Sequence, residues 1–196
     1  VNIRTLPAPV LQLYRRRLGV IFQEPILLDH ANLAENIGLP LLLLGAPQAL
    51  IVRNVADLLK RMNMTAKAAL RPDELSLSER SLACIARALI TAPIVVIADG
   101  PAHNLDEAQR EIAKELFTNM HKKGTTMIFT SRDGHFAKSM HAEIIDLSAG
   151  KTNKESTTAP TKNTPSEAHR ILEEEKPIEQ ILATEDSPPP PSPDDK

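Results

Sequence analysis

Apolar positions along the chain alternate between short continuous runs and longer stretches with helical spacing. Leu18-Gly19-Val20-Ile21-Phe22 is a short apolar run of strand length. From 47 to 63, Ile51, Val55, Leu58, Leu59 and Met62 recur at helical spacing, and Pro47 suits a first turn. Ser76-Leu77-Ser78-Glu79 has the Ser-x-x-Glu pattern in which side chain and backbone cap each other. It precedes Leu82, Ile85, Ala86 and Leu89, so a helix is predicted to start there and to end before Pro93. Ile94-Val95-Val96-Ile97-Ala98 reads as a fully buried strand that delivers Asp99 at its C-terminal end. Asp106 is predicted to cap a helix containing Ile112, Leu116, Phe117 and Met120, which Gly124 stops. Thr125–Thr130 and Ala142–Leu147 read as two more strands, with a turn at Ser148–Gly150. This alternation predicts an α/β fold with a parallel sheet and a mainly helical middle, about 30–92.

Composition divides the chain near residue 152. Half of the 16 prolines lie beyond it, and residues 173–196 hold eight acidic and two basic side chains. Such a segment buries too little apolar surface to offset its ordering entropy. The expectation is a folded unit over 1–152 and a disordered, Pro-rich acidic tail over 153–196. Ile171, Leu172, Ile178, Ile181 and Leu182 allow an amphipathic docking stretch within Ser166–Ala183, which Pro177 would interrupt.

Charge and residue usage narrow the function classes. A net charge of −2 and 3% aromatic residues give neither a basic surface nor a stacking platform, so no nucleic-acid partner is expected. The single Cys84 excludes an internal disulfide and a cysteine zinc cage. The longest apolar run, Ile37–Ala46, is interrupted by Pro40 and Gly45 and is too short to span a membrane. No signal peptide is visible, so a cytoplasmic location is expected, with any membrane contact made through a partner.

Several short segments, in one order, resemble the ATPase domains of the ATP-binding cassette (ABC) family. Arg15-Arg16-Arg17-Leu18-Gly19-Val20-Ile21-Phe22-Gln23-Glu24 resembles that family's strand and Q-loop, and Leu33-Ala34-Glu35-Asn36-Ile37 the segment after it. Leu75-Ser76 with Ile85-Ala86-Arg87-Ala88-Leu89 is similar to the signature motif and its helix. Ala98-Asp99 and Asn104-Leu105-Asp106 are similar to Walker B and the D-loop, and Phe129-Thr130-Ser131-Arg132-Asp133 to the switch region. The match covers about 12–152 and looks most like the bacterial cell-division branch, with lipoprotein-release and macrolide-export branches close. The resemblance implies a P-loop NTPase-like fold, incomplete at its N-terminus, with a helical subdomain. It implies ATP and Mg²⁺ as cofactors, with Gln23, Ser76 and Asp106 toward the nucleotide and Asp99 toward the metal. A membrane permease subunit and a homo- or heterodimer with another such ATPase are the implied partners. Location would then be peripheral to the inner membrane, through the permease.

The departures from the family pattern fall on its chemistry. No Gly-x-x-x-x-Gly-Lys-Ser/Thr phosphate loop is present; Gly150-Lys151-Thr152 has Ile145 where the earlier glycine belongs. Leu77 and Ser78 occupy the signature glycine positions, where a Leu side chain blocks close backbone approach to a phosphate. Gly100 and Arg132 stand at the family's general-base glutamate and switch-histidine positions, which leaves no catalytic residue. The expectation is a degenerate, non-catalytic ATP-binding subunit that couples to a permease. The alternatives are an authentic ATPase truncated at its N-terminus and a non-functional fragment.

Overall fold

The computed structural model describes residues 7–132, 134–140 and 142–145. Three parallel strands form one sheet in the order β1 (Leu18–Ile21), β2 (Val95–Asp99), β3 (Thr126–Thr130). Helix α1 (Ala8–Arg16) precedes β1. The connection from β1 to β2 holds α2 (Leu33–Leu43), α3 (Gln48–Arg61) and α4 (Leu77–Leu89), and α5 (Glu107–Lys122) joins β2 to β3. A short α6 (Gly134–Ser139) follows.

The helical middle forms where the sequence carries start and stop signals. Asn32 and Ser76 each sit in a reciprocal capping box, with Glu35 and Glu79 at the third helical position. Asp106 accepts a hydrogen bond from the Gln109 N–H at 2.8 Å and opens α5. Pro47 caps α3 one residue before its first turn. Gly124, at φ +98°, takes the left-handed conformation that ends α5. Helix α4 stops before Pro93, and the left-handed Ala92 (φ +49°) turns the chain into β2. Neither α1 nor the continuation of α2 through Pro40 was legible in the apolar spacing.

Leu33, Ile37, Leu82, Ala83, Ile85 and Ala86 have no solvent exposure and fuse α2 and α4 into one core. This core reaches the sheet because Gly19 lets α4 lie close: a Cβ there would stand 2.6 Å from the Ala88 carbonyl oxygen. Ile21, Val96 and Ala98 face that core and are buried.

Among the described residues, no element covers the opposite face of the sheet. Val20, Ile97 and Ile128 lie in register across the three strands and are 46, 46 and 60% exposed. The expected fully buried β2 is therefore buried on one side only. A continuous apolar run reports that both faces are apolar and leaves open whether both are covered. The expected last strand is described only in part, since residues 146 and 147 lie outside the described residues. Of Ala142–Leu147, the described residues 142–145 make a single bridge at Ile144 and no strand. The turn at Ser148–Gly150 and the tail 153–196 lie outside the described residues.

Candidate functional site

Parallel strands converge their C-terminal ends, and α/β folds place ligands there. In this chain those ends carry Phe22-Gln23 after β1, Asp99-Gly100 at the end of β2 and Thr130 at the end of β3. Gln23 is exposed, and its backbone carbonyl accepts a 3.0 Å hydrogen bond from Asn104 Nδ2. The Asn-Leu-Asp turn after β2 is thereby tied to the segment after β1. Leu105 is buried beneath the turn.

Asp99 pairs in register with Thr130. The Thr130 hydroxyl donates to Asp99 Oδ1 at 2.5 Å and accepts from the Gly100 N–H at 3.1 Å. That N–H also reaches the Thr130 carbonyl oxygen, at 3.2 Å. Gly100 itself is left-handed, at φ +52°. A Cβ there would meet Gln23 Cγ and His103 Cβ at 3.7 Å, so the space is adequate and the backbone is the constraint. An L-residue in this conformation costs about 1–2 kcal/mol.

Ser76 and Asp106 are occupied elsewhere. The Ser76 hydroxyl accepts from the Glu79 N–H at 3.2 Å and lies 3.2 Å from the Ser78 hydroxyl. The Ser76 N–H donates to Glu79 Oε2 at 3.0 Å. Glu79 is further bound by the Lys67 ammonium, which holds its carboxyl below the usual range; burial opposes this and the Ser76 N–H adds to it. Leu77, half exposed at 49%, occupies the first position of α4. Arg132 is exposed two residues beyond β3. The strand ends thus bring Gln23, Asp99 and Gly100 together, whereas Ser76 and Asp106 each spend their side chains on their own helix.

Two further groups organise the site and were not singled out from sequence. Thr130 is one; its pairing with Asp99 spans 31 positions, and only the strand register reveals it. Asn36 is the other. Fully buried, it accepts from the Leu28 N–H at 2.7 Å and donates through Nδ2 to the carbonyls of Leu28, Ala31 and Asn32, each at 3.1 Å. It folds the loop after Gln23 onto α2. Arg87 fixes the same loop from α4 by donating to the Ile26 carbonyl at 2.6 Å. Beside it, burial pushes the Cys84 thiol up, opposed by the Arg87 charge.

The residues present do not form a Mg²⁺ site by themselves. Asp99 is a single carboxylate with one oxygen already taken by Thr130. No group of three His, Cys, Asp or Glu side chains able to hold a metal exists among the described residues. Mg²⁺ usually completes its octahedron with phosphate oxygens and water. Also among the described residues, no helix is long and apolar enough to cross a membrane.

Known proteins place this arrangement in a family. The profile described as ABC transporter matches residues 2–103. The cell division ATP-binding protein FtsE of Mycobacterium tuberculosis is 34% identical over 138 residues, which cover 70% of this chain and 60% of that protein. The macrolide export ATP-binding/permease protein MacB of Mannheimia succiniciproducens is 31% identical over 149 residues, 76% of this chain and 23% of that protein. The dimeric post-hydrolysis structure of the ATP-binding cassette MJ0796, bound to ADP and Pi, superposes with a TM-score of 0.63. It is 26% identical and covers 69% of this chain and 61% of its own. The chain therefore spans about three fifths of the FtsE relative and of the solved cassette. By profile, sequence and fold, the chain belongs to the ABC transporter family of ATP-binding cassettes.

Proposed function

We propose that this chain is an FtsE-like ATP-binding subunit that does not hydrolyse ATP and that couples to a membrane permease. The observation that carries the reading is Gly100. It follows the Walker B-like Asp99, and its left-handed backbone is one that the family's glutamate would adopt only under strain. A positioned general base is worth roughly 10²–10⁴-fold in rate, so its absence is a large loss. Leu77 at the start of α4 and Arg132 after β3 support the same reading, because they alter two other positions that would face a phosphate.

The permease part of the proposal rests on an apolar cleft between the end of α2 and β1. It is open, with a volume of about 480 Å³, and its lining combines Leu39, Pro40 and Leu43 with Arg15, Arg16 and Arg87. Leu42 and Leu43 are 59 and 74% exposed beside it, an apolar surface suited to a partner segment. Pairing with a second cassette is part of the proposal, since the solved relative is dimeric. The location would be the cytoplasmic side of the inner membrane, held through the permease. A second reading, a piece of an authentic ATPase, is favoured by the three-fifths span of the FtsE relative.

Phosphate release by the purified chain, with and without a co-expressed permease, tests the two readings. Turnover at background level is expected in both preparations. Hydrolysis that disappears in Asp99→Ala would establish the second reading in place of the first. Recovery of the permease with the chain, reduced by Leu43→Glu, is the expected result for the docking cleft.

A further inference from the structure

The family implies a cation at the aspartate that ends the central strand, and the side chains around Asp99 do not hold one by themselves. We infer that Asp99 in this chain is a structural clamp: with Gly100 and Thr130 it locks the C-terminal ends of β2 and β3 together. The inference concerns the same site as the non-hydrolysing reading and rests on that reading for its functional meaning.

The geometry argues for a closed unit. The Thr130 hydroxyl has one proton and gives it to Asp99 Oδ1, at 2.5 Å, a distance in the range of a charge-assisted bond. Its oxygen is then oriented to accept from the Gly100 N–H, at 3.1 Å. The same N–H is shared with the Thr130 carbonyl oxygen, at 3.2 Å. Donor and acceptor sides of the hydroxyl are therefore both used inside the protein. The left-handed turn at Gly100 follows directly on the last paired residue of β2. Replacing it by a residue with a side chain would strain the turn that presents this N–H.

Asp99 is exposed, but it is one carboxylate with one oxygen engaged by Thr130, and a cation held without phosphate oxygens would need further oxygen ligands from the protein. The residue after Asp99, where a second carboxylate would stand in the family, is Gly100, and the described residues offer no acidic cluster there. The unit joins two strands that meet side by side, so its loss should be felt in the stability of the sheet.

The test uses the full chain and reads thermal unfolding together with Mn²⁺ binding by calorimetry and electron paramagnetic resonance. A clamp predicts that Thr130→Val and Asp99→Ala each lower Tm by about 3 °C, and that the double variant falls little further. Thr130→Ser, which restores the hydroxyl, should return to within about 1 °C of the parent. Asp99→Asn keeps an acceptor oxygen and loses the charge, so its Tm should fall between those of the parent and Asp99→Ala, by about 1–2 °C. Mn²⁺ should neither bind the parent chain nor shift its Tm. Mn²⁺ binding that Asp99→Asn abolishes would overturn the clamp. So would additive losses in the double variant, or single variants with unchanged Tm. Phosphate release bears on the non-hydrolysing reading separately, because a metal-binding chain without turnover would defeat the clamp alone.

Discussion

The helical middle and the sheet are built to different degrees of completeness. In the middle, α2 and α4 close on each other. Their N-terminal N–H groups are capped, Leu33, Ile37, Leu82 and Ile85 between them are fully buried, and the buried Asn36 has a partner for every polar atom it presents. Among the described residues the sheet is covered on one face only, and Val20, Ile97 and Ile128 stand exposed in a row on the other. Parallel sheets normally have helices on both faces. The difference teaches that one chain can hold a closely packed helical core beside a strand surface that stays apolar and exposed.

The largest expected effect lies in the helical core. Ile85→Ala removes a side chain with no exposure from between α4 and its neighbours. Urea unfolding should show a loss of about 2–5 kcal/mol. A loss under 1 kcal/mol would mean that the helical core is looser than its packing, and the contrast with the sheet would collapse.

An intermediate effect is expected at the start of α4. Because the folded-state pKa of Glu79 is depressed from the usual value of 4.5, the Glu79–Lys67 pair stabilises the chain above that pH. The contribution should fade as pH falls through the lower, folded value. Lys67→Met should remove this acid-sensitive part, so that parent and variant converge in stability at the acid end and diverge by pH 6. Denaturant midpoints measured across that range check the sign. A gap that widens on acidification would refute it.

The smallest effect is expected on the open face. Ile128→Thr takes an apolar group from a position 60% exposed and keeps a β-branched residue in the strand. Stability should change by no more than about 0.5 kcal/mol. Binding of a hydrophobic dye and self-association should both fall. A destabilisation near that of Ile85→Ala would show that the face is covered in solution.

The parts of the fold legible in the sequence are those with local causes. The Ser76–Glu79 box, the Asp106 cap and the Gly124 stop each depend on residues within one helical turn, and each forms as read. Strands β1, β2 and β3 were readable as apolar or β-branched runs, and the family from the order of its motifs. What eluded sequence was non-local. The parity of Ile97 is written in the run, yet the cover over it depends on elements elsewhere. Thr130 looked like one more strand threonine until the register set it opposite Asp99. Within the described part of the apolar run, residues 142–145, Ile144 makes only a bridge, because apolar composition alone supplies no pairing partner.

Strand order has a mechanical consequence. The long connection between β1 and β2 leaves the first strand at its C-terminal end and enters the second at its N-terminal end. A pull on the intervening helices is therefore delivered to diagonally opposite corners of a parallel pair. It loads the β1–β2 hydrogen bonds in shear, all at once, instead of unzipping them one after another. The helical middle can be tugged by whatever grips it while the two strands stay joined, and the force is carried as a sliding strain toward Gln23 at one corner and Ile94 at the other.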